Sequence, residues 1–283
     1  MDRWHSTVVR VTGVAVGLAV LAACGSGSDA TDSDGPKTGT SSSTAKVSGL
    51  LKDGEISFCT DPTAPPMEFL DADQKLVGAE IELGQALAGA MGVKANWANT
   101  AFNGIIPALQ AKQCDAILAQ LYIKPEREEV VDFVPYMYAS NTVLVQEGSG
   151  ISGIEALCGK KAAAQTGTTA AEYFKEASAK CSGDKIDIRL FTKDTDALQQ
   201  LKLGLVDAYG TTLESAGYVI KQQPGKFAMA GDPFGQIECG IATRKDAKDV
   251  HDAIAKALAD VQADGTYDKI LAEWNLTGDA LKG

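Results

Sequence analysis

Strand-like and helix-like segments alternate along most of this chain, and that alternation is the feature that most restricts its fold. Residues 55–59, 93–97, 115–119 and 142–146 read as strands. Between the first three lie helix patterns at 80–91, with Ile81, Leu87, Ala88 and Met91 on one face and Gly92 just past the end, and at 103–112. Gly148-Ser-Gly150 then interrupts the pattern and is read as a crossover. A second alternating set follows: strands at 161–165, 186–191 and 206–209, and helices at 169–180, 194–203 and 213–222, with Asp194 expected as an N-cap. Gly231-Asp-Pro-Phe leads into a strand at 238–243 that is expected to return to the first set. A helix carrying Val250, Ile254, Leu258 and Val261 stops at Gly265, and a last helix carries Tyr267, Ile270, Leu271 and Trp274. The expectation is an α/β fold with a mainly parallel sheet under helices. It has one lobe of residues 49–147 and 231–283, a second of 148–230, and a ligand cleft between them that closes by hinge motion.

The first residues bear on the compartment. Arg3 and Arg10 precede and flank an apolar run over 11–21, too short to span a bilayer, so residues 1–23 read as a signal peptide. Leu21-Ala-Ala-Cys24 resembles a bacterial lipobox, with Cys24 as the lipidated residue, and 24–48 reads as a disordered Gly/Ser/Thr/Asp-rich tether. The net charge of −11 comes without a basic patch and argues against nucleic acid. Export permits disulfides. Cys158 and Cys181 fall at the same end of one strand–helix–strand unit and are expected to pair, whereas Cys59, Cys114 and Cys239 cannot all pair among themselves. There is no Cys-x-x-Cys and no His cluster, and His5 and His251 lie off any expected site, so neither a metal nor a cofactor is expected.

The stretch from Phe102 to Tyr136 places Arg127 near the carboxyl end of a strand, where open α/β sheets bind ligands. A guanidinium there can clamp a carboxylate, or Arg127 can be an exposed helix arginine paired with Glu128 or Glu129. Gln165-Thr-Gly-Thr-Thr169 opens a helix and favours an anion, unless it is a plain turn capped by Thr168. Asp61 and Glu68 border a proline-fixed loop and could hold a cation; Asp61 could equally cap the turn. Phe102, Trp97, Tyr122 and Tyr209 are candidate stacking surfaces, with a core role favoured for Trp97, and Phe133, in the strand Val131-Asp-Phe-Val that opens at 131–136, reads as core. No Ser/His/Asp set, phosphate-cradling Gly-Lys-Ser/Thr or dinucleotide glycine pattern is present.

Taken in order, Asp61…Pro65-Pro66…Phe69, Gly78-Ala-Glu-Ile-Glu-Leu83, Phe102…Ile106-Pro-Ala-Leu109…Asp115-Ala, Glu126-Arg127…Val131-Asp-Phe…Pro135-Tyr136, Gln165-Thr-Gly-Thr-Thr169, Gly204-Leu-Val-Asp207-Ala and Asp264-Gly-Thr-Tyr-Asp-Lys-Ile270…Trp274 resemble the extracellular solute-binding proteins of ABC importers, polar amino acid family. The resemblance implies two lobes that close on a small carboxylated solute, partners in an ABC permease and its ATPase, a monomer, and a lipid anchor on the outer face of the bacterial cell membrane. It puts Arg127 and Thr169 on the ligand carboxylate, Phe102 on the aromatic wall and Asp61 at the ligand side chain. Ala119, Gln120 and Tyr122 fall in the family's hydroxyl-rich stretch. Three positions depart from it. Thr212 stands where the family has the aspartate for the ligand ammonium, Tyr122 where it has a small hydroxyl residue, and Lys124 where it has threonine. Either Glu214, Glu68 or Asp61 replaces the lost acid, or the ligand is a modified amino acid without a free α-amino group. Lys124, if it faces the cleft, would favour extra negative charge on the ligand. The rival implied by the same fold is a cleft enzyme of the cyclohexadienyl dehydratase type.

Overall fold

A computed structural model describes residues 47–281. The expected signal peptide, Cys24 and nearly all of the tether lie outside the described residues.

The first half opens with β1 (Glu55–Thr60), whose alternate residues Ile56 and Phe58 are fully buried. Three short strands follow, β2 (Thr63–Ala64), β3 (Glu68–Leu70) and β4 (Leu76–Val77), paired antiparallel as a small sheet of their own. Helix α1 (Ala79–Ala90) starts where Gly78 presses against Met67; a Cβ at Gly78 would stand 2.1 Å from the Met67 carbonyl oxygen. β5 (Lys94–Asn99) returns parallel to β1. A single 3₁₀ turn at Phe102–Gly104 leads into α2 (Ile105–Gln110), followed by β6 (Ala116–Ile117) and the one-turn α3 (Pro125–Glu128). Pro125 sits in the first turn, where its missing N–H costs nothing.

β7 (Val131–Gln146) is a 16-residue strand and the main departure from expectation. Its first part, through Asn141, pairs antiparallel with β12, and its last part, from Asn141 onward, pairs with β10 and β11. The chain therefore changes halves inside a continuous strand, and Gly148–Gly150 is only the turn after it. Pro135 does not break the strand because it lies at a register shift between Cys239 and Gly240 of the partner, where no ladder N–H is required.

The second half contains β8 (Lys161–Gln165), α4 (Thr169–Lys180), β9 (Asp187–Phe191), α5 (Asp194–Lys202), β10 (Ala208–Thr212), α6 (Leu213–Gln222) and β11 (Phe227–Met229). Thr168 and Thr212 cap α4 and α6, accepting from the amides of Ala171 and Ser215. α4 lies so close to the sheet that a Cβ on Gly210 would sit 2.6 Å from the Phe174 ring. β12 (Phe234–Arg244) then runs back along β7, and α7 (Lys248–Ala263) and α8 (Thr266–Glu273) pack with α1 on the first half.

The main sheet of the described residues runs β5-β1-β6-β12-β7-β10-β8-β9, with β11 also on β7. It is mixed, not mainly parallel. The outer pairs are parallel, while β12 and β7, which carry the chain between halves, are antiparallel to their neighbours. Each half has its own core, one around Phe58, Leu87, Tyr136 and Ile254, the other around Val143, Phe174 and Ala208. Each half also has a disulfide: Cys59–Cys114, which links β1 to the approach to β6, and the expected Cys158–Cys181; Cys239 is buried and free. Trp97 packs on Phe58, ring centres 5.1 Å apart, and belongs to the core. Among the described residues no helix is long and apolar enough to cross a membrane.

Candidate functional site

A cavity opens between the two halves, lined from the first half by the segments after β1 and β6, the turn at Phe102 and α3, and from the second by the starts of α4, α5 and α6. Helix starts facing a cavity bring unpaired N–H groups and positive dipole ends to it.

Arg127 projects into this cavity from α3. It donates from Nη1 to the Tyr122 carbonyl (2.8 Å) and from Nη2 to the Gly167 carbonyl (3.4 Å), and its guanidinium lies 5.9 Å from the Phe102 ring centre. Two backbone carbonyls and an aromatic ring thus fix the fork, and no ion pair to Arg127 is formed among the described residues. Thr168 and Thr169 line the cavity beside it. The Thr168 hydroxyl is spent within its turn, donating to the Gln165 carbonyl (2.7 Å) and accepting from Ala171.

Acids gather on another part of the wall. Asp61 accepts at Oδ2 from the Phe102 amide (2.9 Å) and Gln165 Nε2 (2.7 Å), and at Oδ1 from the Thr63 hydroxyl (3.0 Å). Burial pushes its carboxyl up, and these three donors pull it partly back. Glu68 and Glu80 are buried side by side. Neither Oε2 meets a donor from elsewhere, and burial plus the mutual repulsion of the two acids drives Glu68 well above the usual carboxylate range. Glu80 accepts at Oε1 from the Tyr136 hydroxyl and the Gln120 amide (2.7 Å), donors that offset part of the upward push of burial on its own carboxyl. That amide bond helps to hold Gln120 in the left-handed region, φ 44°, an uncommon setting for a non-glycine residue.

From the second half Asp194 reaches the wall, while Glu214 is buried outside the lining. Asp194 accepts the Tyr209 hydroxyl at Oδ2 and is pushed up to about 7, chiefly by burial. Glu214 accepts Gln120 Nε2 (3.0 Å) and is also raised to about 7 by burial.

Ten of the eleven expected site residues line the cavity: Asp61, Glu68, Phe102, Gln120, Tyr122, Arg127, Gln165, Thr168, Thr169 and Thr212. Tyr209 does not. Its ring packs with Leu144, Ala197 and Leu198 on the far face of β10, and only its hydroxyl reaches back, to Asp194 and to Thr211 (2.9 Å). Lys124 is also outside the cavity lining, bound to Glu126 (2.7 Å) and to Glu172 of α4 (2.6 Å), so it supplies no charge to a ligand. Asp194 was missed as a site residue because an aspartate ahead of a helix reads as a cap. Lys193 occupies the cap position, and Asp194 begins the helix with its side chain turned to Tyr209. Asn141, Thr211 and Ser215 also line the cavity and carried no sequence signal.

A family profile described as bacterial extracellular solute-binding proteins, family 3, matches residues 56–277. The chain belongs to that family. Among relatives of this solute-binding protein, the L-cystine-binding protein of Escherichia coli strain K12 is 31% identical over 224 residues, covering 78% of this chain and 82% of the relative. An ancestral arginine-binding protein bound to arginine superposes with a TM-score of 0.74 at 37% identity, over 78% of this chain and 98% of the other. An ancestral amino acid-binding protein described as a precursor of cyclohexadienyl dehydratase superposes with a TM-score of 0.72 at 34% identity, over 78% and 95% of the two chains. These structural neighbours share the two-lobed α/β architecture. None of the departures at Thr212, Tyr122 and Lys124 disturbs the overall match.

Proposed function

We propose that this solute-binding protein is the extracytoplasmic receptor of an ABC importer and captures a small carboxylated solute of the amino acid or modified amino acid class by cleft closure. The observation that carries the reading is Arg127, a guanidinium fixed by two carbonyls and the Phe102 ring with its charge unpaired by any described residue. With the start of α4 beside it, this corner of the cavity suits a ligand carboxylate. The loaded receptor then delivers its cargo to a permease and its ATPase. Lipidation at Cys24 anchors it to the outer face of the membrane, and it acts as a monomer.

Native mass spectrometry of the purified protein should reveal a bound carboxylated small molecule, and calorimetry should show it displaced by the matching amino acid. Arg127→Met should weaken that binding by about 2–4 kcal/mol, roughly 30- to 1000-fold. Unchanged affinity in a folded Arg127→Met variant would remove Arg127 from the site and with it this reading. A second reading, a cleft enzyme of the dehydratase type, draws on Asp194, a carboxyl in the cavity poised near neutral pH for proton transfer. Incubation with prephenate and arogenate separates the two: the receptor yields no product.

A further inference from the structure

Helix α6 meets the first half through two residues that do not line the cavity, Glu214 and Tyr218. They stand four apart and so share one face of the helix. Glu214 accepts at Oε2 from Gln120 Nε2 (3.0 Å), and the Tyr218 ring meets Phe69 of β3 with ring centres 5.8 Å apart. Trp274 braces Phe69 in turn, edge-on at 6.0 Å. Glu214 and Gln120 are 6% and 7% exposed. The left-handed backbone of Gln120 is held between its side-chain bond to Glu214 and the bond from its amide to Glu80. Non-glycine residues persist in that region only where the surroundings hold them, and they collect at switch segments.

The contact buries an acid and gives it little in return. Glu214 Oε1 and the Tyr122 hydroxyl are buried without a hydrogen-bond partner. The groups facing Glu214 are Gln120 and Tyr122 from the segment after β6, free Cys239 of β12 and Asp279 of the 3₁₀ turn Thr277–Asp279, with Glu80 of α1 behind Gln120. None of these is a cation. Glu214 stands in the first turn of α6, where the helix dipole favours negative charge, yet burial outweighs that and lifts its carboxyl to about 7. Burial raises Asp279 as well. Parting the halves would return Glu214 to water, where it ionises near its ordinary value. The contact itself therefore selects the protonated carboxyl.

We propose that α6 is a proton-controlled clasp between the halves: Glu214 enters its contact with Gln120 protonated and leaves it ionised, so that closure takes up a proton at a group outside the cavity lining. The proposal rests on the receptor reading only for the opening and closing of the two halves. Its sign follows from linkage. Below about pH 4.5 Glu214 is protonated in both forms, and the clasp is at full strength. As pH rises from about 4.5 to about 7 the open form loses its proton first, so closure weakens across that window. Above it both forms are ionised and the effect levels off. Acid surroundings thus favour capture, and alkaline ones favour release.

Single-molecule energy transfer reads the closed-to-open ratio of the ligand-free protein, with dyes on Lys94→Cys and Lys202→Cys, exposed positions of β5 and α5 in opposite halves. That ratio should fall by about ten-fold or more between pH 5.5 and pH 8.5. Glu214→Gln keeps an oxygen for Gln120 and should reduce the change to about three-fold or less. Glu214→Ala, a second variant that removes the acid outright, should do the same, and circular dichroism confirms that each is folded. Tyr218→Ala should lower the ratio at both pH values and leave its fall with pH intact. A parent ratio that ignores pH would overturn the clasp, as would a fall with pH that persists in the folded Glu214 variants. A ligand-free protein that stays open at pH 5.5 yet closes with L-arginine or L-glutamine would keep the receptor and overturn the clasp. A single dye distance at every pH, with and without either amino acid, would remove hinged closure and with it both readings.

Discussion

Asp194 and Glu214 are held near neutral pKa by burial, and that has a cost that depends on pH. Both rise to about 7 in the fold, from 3.8 and 4.5. Below pH 4 both are protonated in the folded and unfolded chains, and their contribution to stability is fully present. As pH rises from about 4 toward 7, the unfolded chain gives up these protons first, so stability falls across that window. The ligand-free protein should therefore melt at a higher temperature at pH 5.5 than at pH 8. Asp194→Asn should flatten part of that slope, since its side chain no longer titrates. A slope identical to the parent's in differential scanning calorimetry would show that Asp194 does not titrate in that range. The counter-trend from Glu126, Asp252 and Asp264 is confined to lower pH, because their carboxyls are held below the usual range.

Single elements were legible in the chain to the extent that their signals were local. Helix α6 begins at Leu213 and ends at Gln222, the expected bounds, because Thr212 offers an N-cap hydroxyl and Ala216 and Val219 mark a buried face. Along the chain β7 shows as two separate pieces, a strand entry at 131–136 and a strand at 142–146; the bulge at Tyr136 that carries the strand through Pro135 emerges only when β7 pairs with β12, far along the chain. For the same reason the sheet direction was misjudged: β12 and β7 look like any other strands until paired. At this scale Gly210 makes a sharp prediction. Its Cβ position, 2.6 Å from the Phe174 ring, leaves no room for Ala, and Phe174 is fully buried with nowhere to retreat. Gly210→Ala should cost about 1–3 kcal/mol by overpacking, lowering Tm by roughly 2–4 °C per kcal/mol. An unchanged Tm would mean that α4 rides freely on the sheet.

Across the whole molecule, the site was legible where side chains reach the cavity from their own segments and illegible where long-range contacts decide. Arg127, Phe102 and Asp61 fall together as the family order implied, but no local pattern reveals that Lys124 is drawn away by Glu172, 48 residues later. That pair joins the two halves, as do Gln165 to Asp61 and Gln120 to Glu214. The last two involve cavity residues, so changing them would confuse closure with ligand contact. Lys124 and Glu172 are outside the lining and allow closure to be tested alone. The pair is partly exposed, with side chains 16% and 45% accessible, so its worth is about 0.5–1 kcal/mol. If it stabilises the closed form, Lys124→Met should weaken binding of every ligand by a similar two- to five-fold factor, mainly through faster dissociation. The ratio of charged to uncharged ligands should stay unchanged, and small-angle scattering should show a larger radius of gyration at subsaturating ligand. A variant that alters the ratio, with the radius unmoved, would place Lys124 in ligand selection instead of closure.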